Sequence, residues 1–347
     1  MTGLTAFCSA QACGTTYSTL IDEQARWFPT PDLAISNIRS SQVENKVIAL
    51  NKALTAVKKL FKPNLSIKIN FITSLRKVIA VQTVRRENLT LQAKADIGRI
   101  VIKDSLARFN RLAVVWSAGK DSTVALHLLK TVVDELGQEM PPAIFVDHGD
   151  HYEETLKMVD EVSRKWNFKV IMARNEDVLS HVRDNKIYIS ELNRRNQEEA
   201  KRLGFTGEWI EYSLETDVGN HLLKTVALNE AIERYEFDSL VVGIRWDENP
   251  ARSTEVFVSR RESPAHYRVH PILTFTERDI WDYMFKHDLP VHPKYREGYR
   301  SIDGKRDSKK VSDVPAWEQD LEHTQERVGR SQDKENMMER LRRYGYM

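Results

Sequence analysis

The 347-residue chain is 41% hydrophobic and 29% charged, with a formal net charge of +2, a composition that fits one large or two modest globular domains and excludes a disordered or fibrous chain. No apolar run approaches the ~20 residues of a membrane span and no leader-type segment opens the chain, so the expectation is no membrane role and a cytoplasmic location. Cys8 and Cys13 are the only cysteines, and His127 is the first histidine, so no zinc site is expected there and reduced thiols are.

The charge is uneven. Residues 45–111 carry fifteen Lys/Arg against three Asp/Glu, which leaves the rest of the chain acidic. Such a segment can meet nucleic acid or an acidic partner, form a solvated helix face, or dock on the chain's own acidic half. Aromatics for base stacking are sparse there (Phe61, Phe71, Phe109), which weighs against nucleic acid.

In chain order, residues 1–44 mix small polar residues with Trp27, Phe28 and the turn-forming Pro29-Thr30-Pro31-Asp32, and part of this reads as disordered. Asn45–Phe61 has helical spacing (Val47, Leu50, Leu54, Val57, Leu60) and stops at Lys62-Pro63. Ser66–Val84 fits strand or helix equally. Asn88–Phe109 predicts a helix with Leu91, Ala95, Ile102 and Leu106 on one face, where Gly98 costs about 1 kcal/mol relative to Ala. From 112 onward strand and helix patterns alternate, which predicts an α/β fold: a doubly wound, mostly parallel sheet with helices on both faces. Strands are expected at 112–116, 143–147, 168–173 and 238–243, and helices at 121–136, 153–166, 221–235 and 276–287. The domains expected are a basic, mainly helical extension at 1–88, the α/β domain at 89–290, and a loop-rich tail at 291–347 that ends in a helix at 333–343 and packs on the site.

The chain's organising stretch is Leu112–Lys130. An apolar run to Trp116 turns through Ser117-Ala118-Gly119-Lys120-Asp121-Ser122 into an amphipathic helix. A strand, a small-residue turn and a helix start make an anion site, because the N–H groups and the dipole at the helix N-terminus favour negative charge. Ala118 and Gly119 permit close approach of a phosphate, Ser117 and Ser122 add hydroxyls, and Lys120 adds charge. No Walker P-loop is present.

Ligands in such sheets sit at the carboxyl ends of the strands, which groups this turn with two others. Asp147-His148-Gly149 ends the second strand, where Asp147 can bind a ribose hydroxyl or a magnesium water, or serve as a turn residue. Gly243-Ile244-Arg245-Trp246-Asp247-Glu248 continues to Arg252, offering two arginine forks for an oxyanion and two acids to hold them or to help bind magnesium. Downstream, Thr276 reads as a helix cap with Asp279 completing a capping box, and Arg268 and His270 precede it. His270 reads as structural.

Ser117–Ser122 resembles the SGGxDS signature of the PP-loop ATP pyrophosphatases (adenine nucleotide alpha-hydrolase-like), with Ala118 where that family usually has Gly. That alanine is tolerable if φ stays negative. The stretches 243–260 and 268–283, with the ending Gly329-Arg330-Ser331-Gln332-Asp333, are similar to the phosphoadenosine phosphosulfate reductase and sulfate adenylyltransferase small-subunit group, the latter most of all. The resemblance runs from about residue 89 to 347. It implies an ATP- and magnesium-dependent nucleotidyltransferase of sulfur assimilation: a sulfate oxygen, or that of another small oxyanion, attacks the α-phosphorus of ATP and pyrophosphate leaves. Ser117, Ala118, Gly119, Lys120, Asp121 and Ser122 would hold the pyrophosphate, with Asp121 as a magnesium ligand. Asp147, Gly149, Gly243, Asp247 and Glu248 would lie about the nucleotide, with Glu154 as the glutamate that follows the D-x-G turn. Arg245, Arg252 and Arg260 would hold the oxyanion, with Lys120, Asp121, Arg245 and Arg252 as the catalytic set. It also implies a GTPase large subunit as partner.

Three alternatives share the loop. A reductase of the sister family needs a C-terminal thiolate, and no cysteine follows Cys13. A tRNA-modifying adenylase is favoured only by the basic 45–111 segment, since Gly304–Ser308 offers no cysteine. A nucleotide-binding regulator without turnover is hinted at only by Ala118.

Overall fold

The computed structural model describes residues 89–248, 252–324 and 326. The expectations for 1–88 and for the helix at 333–343 therefore lie outside the described residues. Helix α1 (Leu91–Arg108) starts at the Thr90 cap, whose hydroxyl accepts from the Ala93 N–H, and leads into β1 (Leu112–Val115). Then follow α2 (Lys120–Leu136), β2 (Ala143–Val146), α3 (Glu153–Trp166) and β3 (Val170–Ala173). Helix α2 ends at Gly137 and α3 at Asn167, both left-handed caps that stop the helix by turning the chain.

The chain next leaves the sheet for a small module. Its elements are α4 (Glu176–Ser180), the antiparallel pair β4 (Lys186–Tyr188) and β5 (Trp209–Glu211), α5 (Arg194–Arg202) between them, and α6 (Asp217–Asn220). A second apolar cluster holds it together, with Val178, Ile187, Leu192, Ile210, Leu214 and Leu222 buried. The route back is a π-helical turn, His221–Val226, continuous with α7 (Ala227–Tyr235). The helix expected at 221–235 is thus partly a wider π coil, a form common beside functional sites.

Strand β6 (Ser239–Val242) re-enters the sheet beside β1, and the hairpin β7 (Val258–Glu262) and β8 (Ala265–Val269) completes it. The strand order is β3-β2-β1-β6-β8-β7, parallel throughout except that β7 runs antiparallel to β8 at the edge. The doubly wound α/β fold is the one expected, and the edge hairpin was not foreseen. Helices α8 (Glu277–Lys286), opened by the Thr276–Asp279 capping box, and α9 (Pro293–Arg296) follow.

The core is the apolar set of β1, β2 and β6 packed on α2 and α8. Gly98 lies in α1 without breaking it: an added Cβ would sit 2.6 Å from the Pro271 carbonyl oxygen, so the glycine lets α1 lie against that loop. Within 89–111 the basic residues dock on the chain's own acids. Lys94 meets Asp279, Arg99 and Lys103 meet Glu135, and Arg111 meets Glu236. Among the described residues no helix is long and apolar enough to cross a membrane.

Candidate functional site

The carboxyl ends of β1, β2 and β6 open into a cavity of about 240 Å³. Its walls are the loop after β1, the residues after β2, the π turn, the start of the segment after β6, and Ser301–Asp303. Of the residues singled out from sequence, Ser117, Gly119, Lys120, Asp121, Ser122, Gly243, Glu248, Arg252 and Arg268 lie on this lining.

The loop is fixed by its own polar atoms. The Ser122 hydroxyl donates to the Gly119 carbonyl (3.0 Å) and accepts from the Ser117 N–H (3.2 Å). The N–H of Lys120 donates to the Tyr295 hydroxyl at 3.0 Å, and Gly119 caps α2 without a side-chain hydrogen bond. Ala118 has φ = 58°, so the condition for an unstrained alanine, negative φ, is not met. The left-handed region costs an L-residue roughly 1–2 kcal/mol because Cβ crowds the carbonyl oxygen, and glycine escapes it. Gly243 serves packing: an added Cβ would lie 2.8 Å from the Asp121 carbonyl carbon and from Ser122 Cα, so β6 and the loop come together only with glycine there.

Lys120 and Arg245, each 1% exposed, lie in one buried ionic network. Lys120 Nζ faces Glu326 Oε1, Asp121 Oδ2 at 3.3 Å and the Arg300 carbonyl at 3.3 Å. The Arg245 guanidinium donates through Nε to Asp247 (2.8 Å), through Nη1 to Asp121 and through Nη2 to Glu326 (2.6 Å). Burial works against the Arg245 charge, but the Glu326 and Asp247 carboxylates outweigh it and push the pKa above the ordinary arginine value. Glu277 accepts the fork of Arg300 at 2.8–3.2 Å, and burial raises its own pKa. Arg252 is paired with Glu248.

Several expected ligand residues fall elsewhere. Asp147 and Gly149 are not on the lining: Asp147 Oδ1 accepts from the Gly149 N–H (2.9 Å), and Oδ2 accepts from Arg174 (2.8 Å). Burial alone would raise the Asp147 pKa, but hydrogen bonds from His151, Gly149 and Arg174 hold it well below the carboxylate range. Its hydrogen bond to Gly149 is that of a turn residue, one of the two readings of its sequence. Arg260 stands exposed on β7 beside Glu262, and Glu154 faces Lys294 outside the cavity. Asp121 is a poor magnesium ligand in this arrangement, since both of its oxygens face cations, a setting that repels another cation. Among the described residues no group of three His, Cys, Asp or Glu is placed to hold a metal. His270, buried against the Val256 carbonyl at 2.8 Å, is structural as expected.

The opposite wall was not anticipated. The end of α6 and the π turn bring Asn220, Lys224 and Thr225 to the cavity, with Lys224 paired to Asp303 and His148 3.7 Å from the same carboxylate. Burial, then the nearby Lys224, pushes the His148 pKa down to about 3. Asn220 Nδ2 donates to the Leu214 carbonyl (3.0 Å), which fixes the amide orientation, yet Asn220 Oδ1 and Thr225 Oγ1 are buried without a hydrogen-bond partner among the described residues. Glu326, Tyr295 and Arg300 were likewise missed. Only the charge and turn residues after 290 signalled that the tail approaches the site.

These features define a class: a doubly wound α/β protein whose cleft is built on a strand–loop–helix anion motif. The chain belongs to the phosphoadenosine phosphosulfate reductase domain family, whose model matches residues 111–310. A phosphoadenosine 5′-phosphosulfate reductase of Xylella fastidiosa (strain M12) is 29% identical over 192 residues, 55% of this chain and 69% of the relative. Sulfate adenylyltransferase subunit 2 of Rhizobium meliloti (strain 1021) is 27% identical over 227 residues, 58% of this chain and 66% of the relative. Among solved structures, the phosphate complex of the Candida auris phosphoadenylyl-sulfate reductase aligns with a TM-score of 0.45 at 15% identity, covering 64% of this chain and 98% of that one.

Proposed function

We propose that this chain is an ATP pyrophosphatase that adenylates a small oxyanion, with sulfate as the acceptor. The observation that carries the reading is the pairing of Lys120 and Arg245 beside the β1–α2 loop at the carboxyl ends of β1 and β6. In the reaction a sulfate oxygen bonds to the α-phosphorus of ATP, the bond to the β-phosphate oxygen breaks, and pyrophosphate leaves with its electron pair. Such a transfer needs positioning and charge neutralisation rather than a protein nucleophile. Ser117, Gly119, Ser122 and the α2 N-terminus are placed to bind the departing phosphates, with Lys120 and Arg245 to neutralise them. Magnesium, where present, would ride on the phosphates and water rather than on Asp121.

The reductase alternative has a relative of similar identity in its favour. Against it stands the lack of any thiol from Gly14 to Met347, since sulfur attack needs a thiolate. A GTPase partner is inferred only from likeness to a protein named as a subunit.

The test is pyrophosphate release from ATP and magnesium, with and without sulfate, and with Lys120→Ala as control. Sulfate-dependent release, lowered by roughly 100-fold or more in the variant, is expected. ATP binding with no sulfate-dependent release, with or without GTP and a GTPase subunit, would exclude sulfate as acceptor.

A further inference from the structure

A tyrosine from α9 sits at the start of α2. The Tyr295 ring is 2% exposed and packs edge-on against Trp281, with centroids 5.0 Å apart at 84°. Its hydroxyl oxygen accepts the N–H of Lys120, the first residue of α2, at 3.0 Å. Tyr295 lies on the cavity lining together with Ser117, Gly119, Lys120 and Ser122. A hydroxyl has one proton to donate and two lone pairs to accept with. Among the described residues the Lys120 N–H is the only hydrogen-bond partner of this one, so its proton has no acceptor. Burial raises the Tyr295 pKa, with the nearby Lys120 charge acting the other way, so the hydroxyl keeps that proton at neutral pH. The serine hydroxyls of the loop differ, since Ser117 and Ser122 bond to each other and Ser122 also bonds to loop backbone.

We propose that Tyr295 is a phosphate ligand of this site: its O–H donates to an oxygen of the departing pyrophosphate while its oxygen goes on accepting the Lys120 N–H. The inference rests on the reading that the β1–α2 loop holds phosphate. An ionised phosphate oxygen accepts hydrogen bonds and gives none, so it needs a donor. A carboxylate capping the Lys120 N–H would set a negative charge in the anion site. A hydroxyl accepts the N–H and still presents a donor, which carries the donor position from the helix end into the cavity. Bonds in such a row polarise one another, so the N–H behind it makes the O–H a stronger donor. The Lys120 ammonium, 5.7 Å from the ring centroid, acts in the same direction. Packing on Trp281 fixes the ring beforehand, so little side-chain freedom is lost when the phosphate arrives.

The experiment is calorimetric binding of inorganic pyrophosphate, and of ATP with magnesium, with thermal melting as the folding control. Three proteins are compared: the full chain, Tyr295→Phe, and the full chain with a ring-fluorinated tyrosine at position 295. Phenylalanine keeps the ring and its packing and removes only the hydroxyl, so whichever ligand binds the unaltered chain should bind roughly tenfold weaker, about 1.4 kcal/mol. Fluorine makes the hydroxyl a stronger donor and a weaker acceptor, so that protein should bind roughly twofold tighter. A hydroxyl that only caps the Lys120 N–H gives the opposite pattern: its removal lowers the melting temperature and frees that N–H for the ligand, so affinity holds or rises. A loss below about threefold in Tyr295→Phe, or no gain in the fluorinated protein, overturns the proposal while leaving the anion site standing. The fluorinated protein carries the test if the phenylalanine variant melts near assay temperature. Failure of both ligands to bind the unaltered chain overturns the proposal and the phosphate reading together.

Discussion

The two walls of the cavity treat their polar groups in opposite ways. On the loop wall the hydroxyls of Ser117 and Ser122 bond within the loop, and Lys120 and Arg245 are matched with Asp121 and Glu326. On the π-turn wall the Asn220 carbonyl oxygen and the Thr225 hydroxyl are buried and unmatched. A buried polar atom left without a partner costs about 1–3 kcal/mol, so the first wall is stable as it stands and the second carries a penalty. The wider coil supplies the cause: a threonine in a regular α-helix can return its hydroxyl to the carbonyl one turn back, and the π turn at His221–Val226 alters that geometry. The difference teaches that a ligand would compete for its contacts on one side of the cleft and find them vacant on the other.

The largest expected effect is on charge, and it tests whether four histidines, His148 at the cavity among them, are buried in the neutral form. His148 adjoins the π-turn wall, with its pKa pushed by burial down to about 3 from 6.5. Burial also lowers His270 to about 3, and His266 and His292 to about 4. Each folded-state value lies below the unfolded one, so between pH 6.5 and about 4 the unfolded chain binds more protons. Stability is then complete above pH 6.5 and is lost as the pH falls, by up to about 1.4 kcal/mol per pH unit for each histidine. The unfolding free energy from urea titration should drop steeply between pH 6.5 and 4.5, by several kcal/mol in all. A flat profile across that window would contradict neutral burial of these rings.

A smaller effect separates the walls by sign. Thr225→Val keeps the shape and removes an unmatched hydroxyl, so the ligand-free protein should gain about 1 kcal/mol. Ser122→Ala removes a matched hydroxyl and should lose a similar amount. Chemical denaturation of both variants reads this directly. Destabilisation by both would show that the Thr225 hydroxyl has a partner after all. If a ligand uses that hydroxyl, Thr225→Val should also weaken nucleotide binding by about tenfold while it stabilises the fold.

What the sequence made legible follows from how each part is built. Strands β1, β2 and β6 are short apolar runs bounded by turns, and the periodic stretch at 153–166 became α3 with the same ends. The module between β3 and the π turn escaped notice because β4 and β5 are three residues each, and its core is contributed singly from among charged residues. From motif and position at a strand end the loop and Arg245 could be proposed as site residues; the structure puts the loop on the cavity lining and Arg245, off that lining, in one ionic network with Lys120. Their partner could not be proposed: Glu326 lies 206 residues from Lys120 and 81 from Arg245, and no local pattern marks a contact of that range. The contact of Asp147 with Arg174 was hidden for the same reason, because Arg174 comes from the end of another strand.

The smallest effect concerns the strain within the loop wall. Ala118 holds a left-handed backbone, φ = 58°, and its methyl group is buried. Ala118→Gly relieves roughly 1–2 kcal/mol of steric strain. It gives up about 0.8 kcal/mol for the buried methyl and adds backbone freedom to the unfolded chain. These terms nearly cancel, so the melting temperature should stay within about 2 °C of the original for a domain of this size. The loop path is already the one glycine prefers, so nucleotide affinity should stay within about twofold of the original. A larger fall in melting temperature would mean that packing of the methyl outweighs the backbone strain. The loop wall would then be held by its core contacts as firmly as by its ion pairs, and alanine would be the better residue at that turn.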